Sequence, residues 1–188
     1  MGLWNNLIVL DEIESTNNYL KQYYDSLVPY TVIRANYQSN GRGQFERGWE
    51  STKNKNLLFS ILFKLDLGFS PDLMNPIIVT AIKSTLDEMG INASFKDPND
   101  VYVGDKKIAG ILIETKYDAN KLKYMVVGVG LNVNQLTFDD LNAVSIHQLL
   151  GSNQALEPLL MRILTYVEHN LMLLRFIQGG KNDNKTTY

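Results

Sequence analysis

Residues 38–60, QSNGRGQFERGWESTKNKNLLFS, set Arg42 between Gly41 and Gly43 and follow it with Arg47 and Trp49. Glycines on either side let the backbone take positive φ and come close to a ligand. The two guanidinium groups offer charge and planar donors to phosphate or carboxylate oxygens, and Trp49 adds an apolar wall. The stretch is neither a P-loop nor a dinucleotide fingerprint: it has no Gly-Lys-Ser/Thr ending and no third spaced glycine opening a helix. Taken alone, GRG most often marks a surface turn.

Other polar stretches share the chain with apolar strands. In KDPNDVYVGDKKIAGILIET, residues 96–115, Lys106 and Lys107 must point to opposite faces of a strand, so only one of them can serve a site. Asn99 and Asp100 follow Pro98, a common turn combination. Residues 126–135, VVGVGLNVNQ, carry two glycines ahead of Asn132, and EIESTNNYLK near the start places Ser15 or Thr16 where a helix is capped.

The elements that hold these groups follow from periodicity. LIVL at 7–10, YTVIRANYQ at 30–38 and NLLFSILFKL at 56–65 read as strands, so the arginine loop hangs between two of them. A helix follows Ser-Thr-Asn. Residues 71–90 open with Pro71 and close with Gly90, with Ile78, Ala81, Ile82 and Leu86 on one helical face. NASFK, DVYVGDKKIAGILIETKYD and KLKYMVVGVGLNV give three or four further strands, with Gly104-Asp105 at a hairpin tip. LEPLLMRILTYVEHNLMLLRFI is one long amphipathic helix, and a polar tail from 179 to 188 is expected to fray. The result is one α+β domain over 1–178 built on a mixed or antiparallel sheet.

Composition narrows the function. The chain has 188 residues, is 45% hydrophobic and has a net charge of −2, without the basic face of a nucleic-acid binder. Having no cysteine, it has no disulfide, thiol nucleophile or thiolate-bound zinc, and His147 and His169 stand too far apart to suggest a metal site. No signal peptide or membrane span is evident, so the expected location is the cytoplasm.

Ser15-Thr16-Asn17, Gln38 with GRGQ and Trp49, KDPND, Lys107 before AGIL, and GVGLN stand in one order and resemble the motifs of the biotin protein ligase catalytic domain, biotin-[acetyl-CoA-carboxylase] ligase. The resemblance runs from about Leu10 to about Phe176. It implies a class II aminoacyl-tRNA synthetase-like biotin/lipoate ligase fold. It also implies a reaction that joins biotin to ATP with Mg²⁺ and passes biotin to a lysine of a biotin carboxyl carrier protein. No nucleic-acid or membrane partner is implied, whereas a homodimer through sheet edges is compatible. The family's small C-terminal β-barrel and the N-terminal helix-turn-helix of its two-function members are expected to be absent.

By the same resemblance, Arg42, Lys107 and Asp100 would be catalytic: a clamp on phosphate and carboxylate, a contact to the reacting carboxylate and α-phosphate, and the group that deprotonates the acceptor lysine. Biotin would meet Ser15, Thr16, Asn17, Gln38, Gly41, Arg42, Trp49, Lys107, Gly110, Ile111 and Leu112. ATP would meet Arg42, Gly43, Gln44, Arg47, Trp49, Lys96, Asn99, Lys107 and Asn132. The metal would sit on phosphates and water, with no protein metal ligand. Gln44 stands where the family often has arginine, and Asp97 where it has tryptophan. The rival readings are a lipoate- or octanoyl-protein ligase and a non-catalytic biotin-binding relative.

Overall fold

The structure, a computed structural model, describes residues 3–4, 6–43, 48–64, 70–96, 98–139 and 142–182, with side chains as far as Ile177. Among the described residues seven strands form one mixed sheet: β1 (Leu7–Leu10), β2 (Val32–Ala35), β3 (Leu57–Lys64), β4 (Ser94–Lys96), β5 (Asp100–Val103), β6 (Lys106–Asp118) and β7 (Lys121–Leu131). Their spatial order is β1-β2-β3-β7-β6-β5-β4. β1 and β2 run parallel, and every other neighbouring pair is antiparallel.

The central strand β3 shows why the sheet has two different faces. Leu57, Phe59, Ile61 and Phe63 join the main core with residues of α2 (Met74–Glu88) and α4 (Leu156–Asn182). Burying each of these side chains contributes about 1.5–3 kcal/mol. Leu62 turns the other way and packs beside Leu20 of α1 (Thr16–Tyr23). Among the described residues the short α1 packs on that second face and covers it in part. Beside α1 lies the cavity described below.

The helices differ from the sequence expectation at their ends. Residues 71–73 form a 3₁₀ turn before α2, because Pro71 tolerates the first turn but adds no N–H. Gly90, at φ 76°, closes that helix in the left-handed region. The backbone of α4 stays helical to Asn182, so the expected polar tail begins as helix, and residues 183–188 lie outside the description. A short α3 (Ile146–Leu150) was not expected; Ser145 and Gln148 form its capping box and Gly151 its left-handed close. Among the described residues no helix is long and apolar enough to cross a membrane.

Candidate active site

The half-covered face of the sheet carries three rows of paired residues. The first runs Leu58, Gly130, Gly110, Asp100; the second Ile33, Ser60, Gly128, Leu112; the third Leu62, Val126, Glu114. Glycine at 110, 128 and 130 leaves the middle of this surface without side chains. A cavity of about 380 Å³ stands above it.

Each bare position is filled by a neighbour. A Cβ at Gly130 would lie 2.3 Å from Trp49 Cε2, and one at Gly110 would lie 2.8 Å from Trp49 Cζ3, so the indole rests on the backbone of β6 and β7. Its Nε1 is buried with no hydrogen-bond partner among the described residues. Trp49 is placed by an antiparallel bridge between Arg42 and Gly48 and by its own N–H, which donates to Gly41 O at 2.9 Å. Gly41 does not take the positive φ expected of it. It is needed for space instead, since a Cβ there would lie 2.6 Å from Trp49 O.

Lys107 reaches the cavity through a bulge. Counting back from Gly110 by strict alternation would give Ile108 and Lys106 to this face. However, Val101 pairs with Ala109 while Tyr102 pairs with Lys107, leaving Ile108 as an extra residue. Ile108 drops into the main core, Lys106 is exposed, and Lys107 lines the cavity. Segment 142–144 takes up the backbone freed at the bulge: Lys107 N–H donates to Asn142 O at 2.6 Å and Val144 N–H donates to Lys107 O at 2.9 Å. Lys107 Nζ lies 2.7 Å from Asp100 Oδ1, an ion pair without hydrogen-bond alignment, and 5.4 Å from the Trp49 ring centre.

At the third row Glu114 gathers cations. It meets Lys21 Nζ at 2.7 Å and Arg42 Nη2 at 3.1 Å, and accepts from Asn17 Nδ2 at 2.8 Å. Burial pushes its pKa up, but the hydrogen bonds from Lys21 and Asn17 and the two positive charges outweigh burial and hold the carboxyl below the ordinary glutamate value. Arg42 Nη2 also donates to Asn18 Oδ1 at 2.7 Å.

The neutral part of the wall comes from the start of α1. Ser15 caps that helix, accepting from Asn18 N–H, and also lines the cavity. Gln38 Oε1 accepts from Thr16 N–H at 2.8 Å. Ser60, fully buried, lies 2.7 Å from Thr16 Oγ1 and 2.6 Å from Asn17 Oδ1.

Most expected site residues therefore converge. Ser15, Thr16, Asn17, Gln38, Arg42, Gly43, Trp49, Lys96, Asn99, Asp100, Lys107 and Gly110 to Leu112 line one cavity. Asn99 also has a structural task, its Nδ2 donating to Ile111 O at 2.6 Å and its own carbonyl accepting from Ile111 N–H. Asn132 is not on the wall; it is buried behind Lys107, its Nδ2 donating to Lys107 O at 3.5 Å and its backbone N–H to Ile108 O. Gln44, Arg47 and Asp97 lie outside the described residues. Sequence reasoning missed Glu114 and Ser60. Glu114 shares the period-two face of Gly110 and Leu112, and Ser60 is a lone hydroxyl inside an apolar strand.

Residues 9–132 match the biotin/lipoate A/B protein ligase family. The chain belongs to this family. A member from Bacillus spizizenii, the bifunctional ligase/repressor BirA, is 29% identical over 71% of this chain and 42% of its own length. The protein of the same name from Escherichia coli is 32% identical over 68% of this chain and 40% of its own. The chain thus spans about two fifths of these curated relatives. Among solved biotin/lipoate ligases, biotin protein ligase from Aquifex aeolicus in complex with biotin and ATP superposes with a TM-score of 0.78 at 31% identity. That match covers 90% of this chain and 71% of the Aquifex protein.

Proposed function

We propose that the protein forms biotinyl-5′-AMP from biotin and ATP, then transfers biotin to a lysine of a biotin carboxyl carrier protein. The observation that carries this reading is that Arg42 and Lys107, each paired with a carboxylate, stand on the wall of one glycine-floored cavity. In the first step a biotin carboxylate oxygen attacks the ATP α-phosphorus and pyrophosphate leaves. Negative charge builds there, and in this reading Lys107 and Arg42 balance it. In the second step the lysine amine attacks the acyl carbon, AMP leaves, and Asp100 takes the amine proton. The neutral groups of Thr16 and Gln38 suit the ureido ring, and the bare backbone of Gly110, Gly128 and Gly130 admits the ring and tail at close range.

Magnesium would accompany the nucleotide phosphates. Among the described residues no group of three His, Cys, Asp or Glu side chains could hold it, and in this reading its ligands are phosphate oxygens and water. A cytoplasmic location, where ATP is available, belongs to the same reading. Beyond Gly110, β6 runs on with no strand on its outer edge among the described residues, which supports a homodimer built by edge pairing.

The test is biotin-dependent exchange of radiolabelled pyrophosphate into ATP, beside a lipoate control. Exchange with biotin alone supports the reading. Exchange with lipoate instead moves the substrate to a dithiolane acid. Biotin binding without exchange makes the chain a binder and ends the enzyme reading.

A further inference from the structure

We infer that Ser60 is a positioning residue that fixes the hydrogen-bond polarity of the cavity, so that the wall accepts from a ligand N–H at Thr16 and donates to a neighbouring carbonyl from Gln38. The inference rests on the biotin reading above and says how the cyclic urea is told from near-isosteres.

The assignment follows from counting protons. Asn17 Nδ2 donates to Glu114 Oε2 at 2.8 Å, which orients the amide and turns its carbonyl oxygen toward Ser60. A carbonyl oxygen has no proton, so the 2.6 Å contact between Asn17 Oδ1 and Ser60 Oγ requires the hydroxyl proton of Ser60. With that proton committed, the 2.7 Å contact between Ser60 Oγ and Thr16 Oγ1 requires the proton of Thr16. The Thr16 hydroxyl then points its proton inward and keeps lone pairs for the cavity. Gln38 Oε1, 3.0 Å from that hydroxyl, is held instead by Thr16 N–H at 2.8 Å, which leaves Gln38 Nε2 as a donor. Thr16 and Gln38 both line the cavity.

Burial makes this arrangement rigid. Ser60 is 0% exposed and Asn17 4%, so the Ser60 hydroxyl cannot exchange its partner for water. Gly128, opposite Ser60 in register, has no side chain to compete, and a Cβ there would lie 2.3 Å from Asn17 Oδ1. Without the Ser60 hydroxyl, the Thr16 proton is released and is shared between Gln38 Oε1, 3.0 Å away, and the ligand, so the wall's preference for a donor weakens.

The experiment is calorimetric binding by the full chain of biotin and of two isosteric cyclic carbamates, each with a ring oxygen in place of one ureido N–H. Wild type is compared with Ser60→Ala and Ser60→Cys. Wild type should bind biotin at least about a hundredfold tighter than the carbamate whose oxygen faces Thr16. Ser60→Ala should bind biotin about tenfold more weakly and lose about tenfold or more of that discrimination. Its KM for ATP and its kcat at saturating biotin should stay within about twofold of wild type. Ser60→Cys, a weak donor, should fall between the two, and it carries the comparison should the alanine variant not fold. An unchanged urea-to-carbamate ratio in the folded variants, or unchanged biotin affinity, overturns the inference while leaving the ligase reading intact. Failure of wild type to bind biotin at all overturns that reading and this one with it.

Discussion

Arg42 Nη2 lies 3.1 Å from each carboxylate oxygen of Glu114, so a principal cation of the cavity wall is matched by an acid one row beyond the glycine floor. Lys21 shares the same carboxylate. This acid holds the arginine loop to α1 and β6 together, which gives it a role in stability that is separable from catalysis.

Glu114→Gln should lower stability at pH 7 by about 1 kcal/mol, a modest figure because all three partners keep some contact with solvent. The sign of the pH dependence follows from the lowered pKa of Glu114. Stability from the carboxylate is fully present above the ordinary glutamate value of about 4.3 and is lost as pH falls below it toward the folded-state value. Thermal melts should therefore separate wild type from the variant at neutral pH and converge in acid. A gap that widens on acidification would contradict the assignment.

The bulge at Ile108 separates two adjacent lysines by function. Lys107→Ala should reduce pyrophosphate exchange by about 10²–10³, the loss expected when one donor to a developing charge is removed. Lys106→Ala, at an exposed site, should stay within about twofold of wild type. Equal losses in the two variants would mean that bulk charge, and not placement, is what matters.

Asp100→Asn divides the two half-reactions. It keeps the size of the side chain beside Lys107 and removes the base, so exchange should persist while transfer to a carrier lysine falls by about 10²–10⁴. Raising the pH, which deprotonates the acceptor amine without help, should recover part of the transfer. Loss of exchange to the same extent as transfer would place Asp100 in the first step instead.

Gly130→Ala adds one methyl group where Trp49 Cε2 would be 2.3 Å away, and Gly128→Ala adds one 2.3 Å from Asn17 Oδ1. Alanine suits a strand at least as well as glycine, so both proteins should fold. The first should shift tryptophan emission and weaken biotin binding by a hundredfold or more, on the order expected for a filled site. The second should weaken binding with little change in emission, since Trp49 is not the residue displaced. Calorimetry alongside fluorescence distinguishes them.

The sheet was largely legible because its central strands are long, rich in aliphatic and aromatic residues, and bounded by turns. Leu57–Lys64 and Lys121–Leu131 needed nothing beyond their own periodicity. Helix ends were less so: α3 has only five residues, too few for a periodic signal, although its capping box was visible as Ser145 and Gln148. At the site, residue types and order identified the cavity wall, but not the pairing of its charges. Glu114 lies 72 residues from Arg42, and nothing local announces a contact of that separation. Gly41 shows the opposite problem: glycine is required there, but for clearance from Trp49, which a count of φ preferences does not foresee.

The extra residue at Ile108 also bears on folding fidelity. A one-residue slip in a hairpin exchanges the two faces of a strand and ordinarily destroys a site. Here the slip would exchange Lys107 for Lys106, one ammonium for another, on the face that carries Asp100. Tandem lysines thus give the β5–β6 hairpin a tolerance to misregistration in its most sensitive charge. The native, bulged register carries the two backbone bonds of Lys107 with Asn142 and Val144, which favour it over the slipped one.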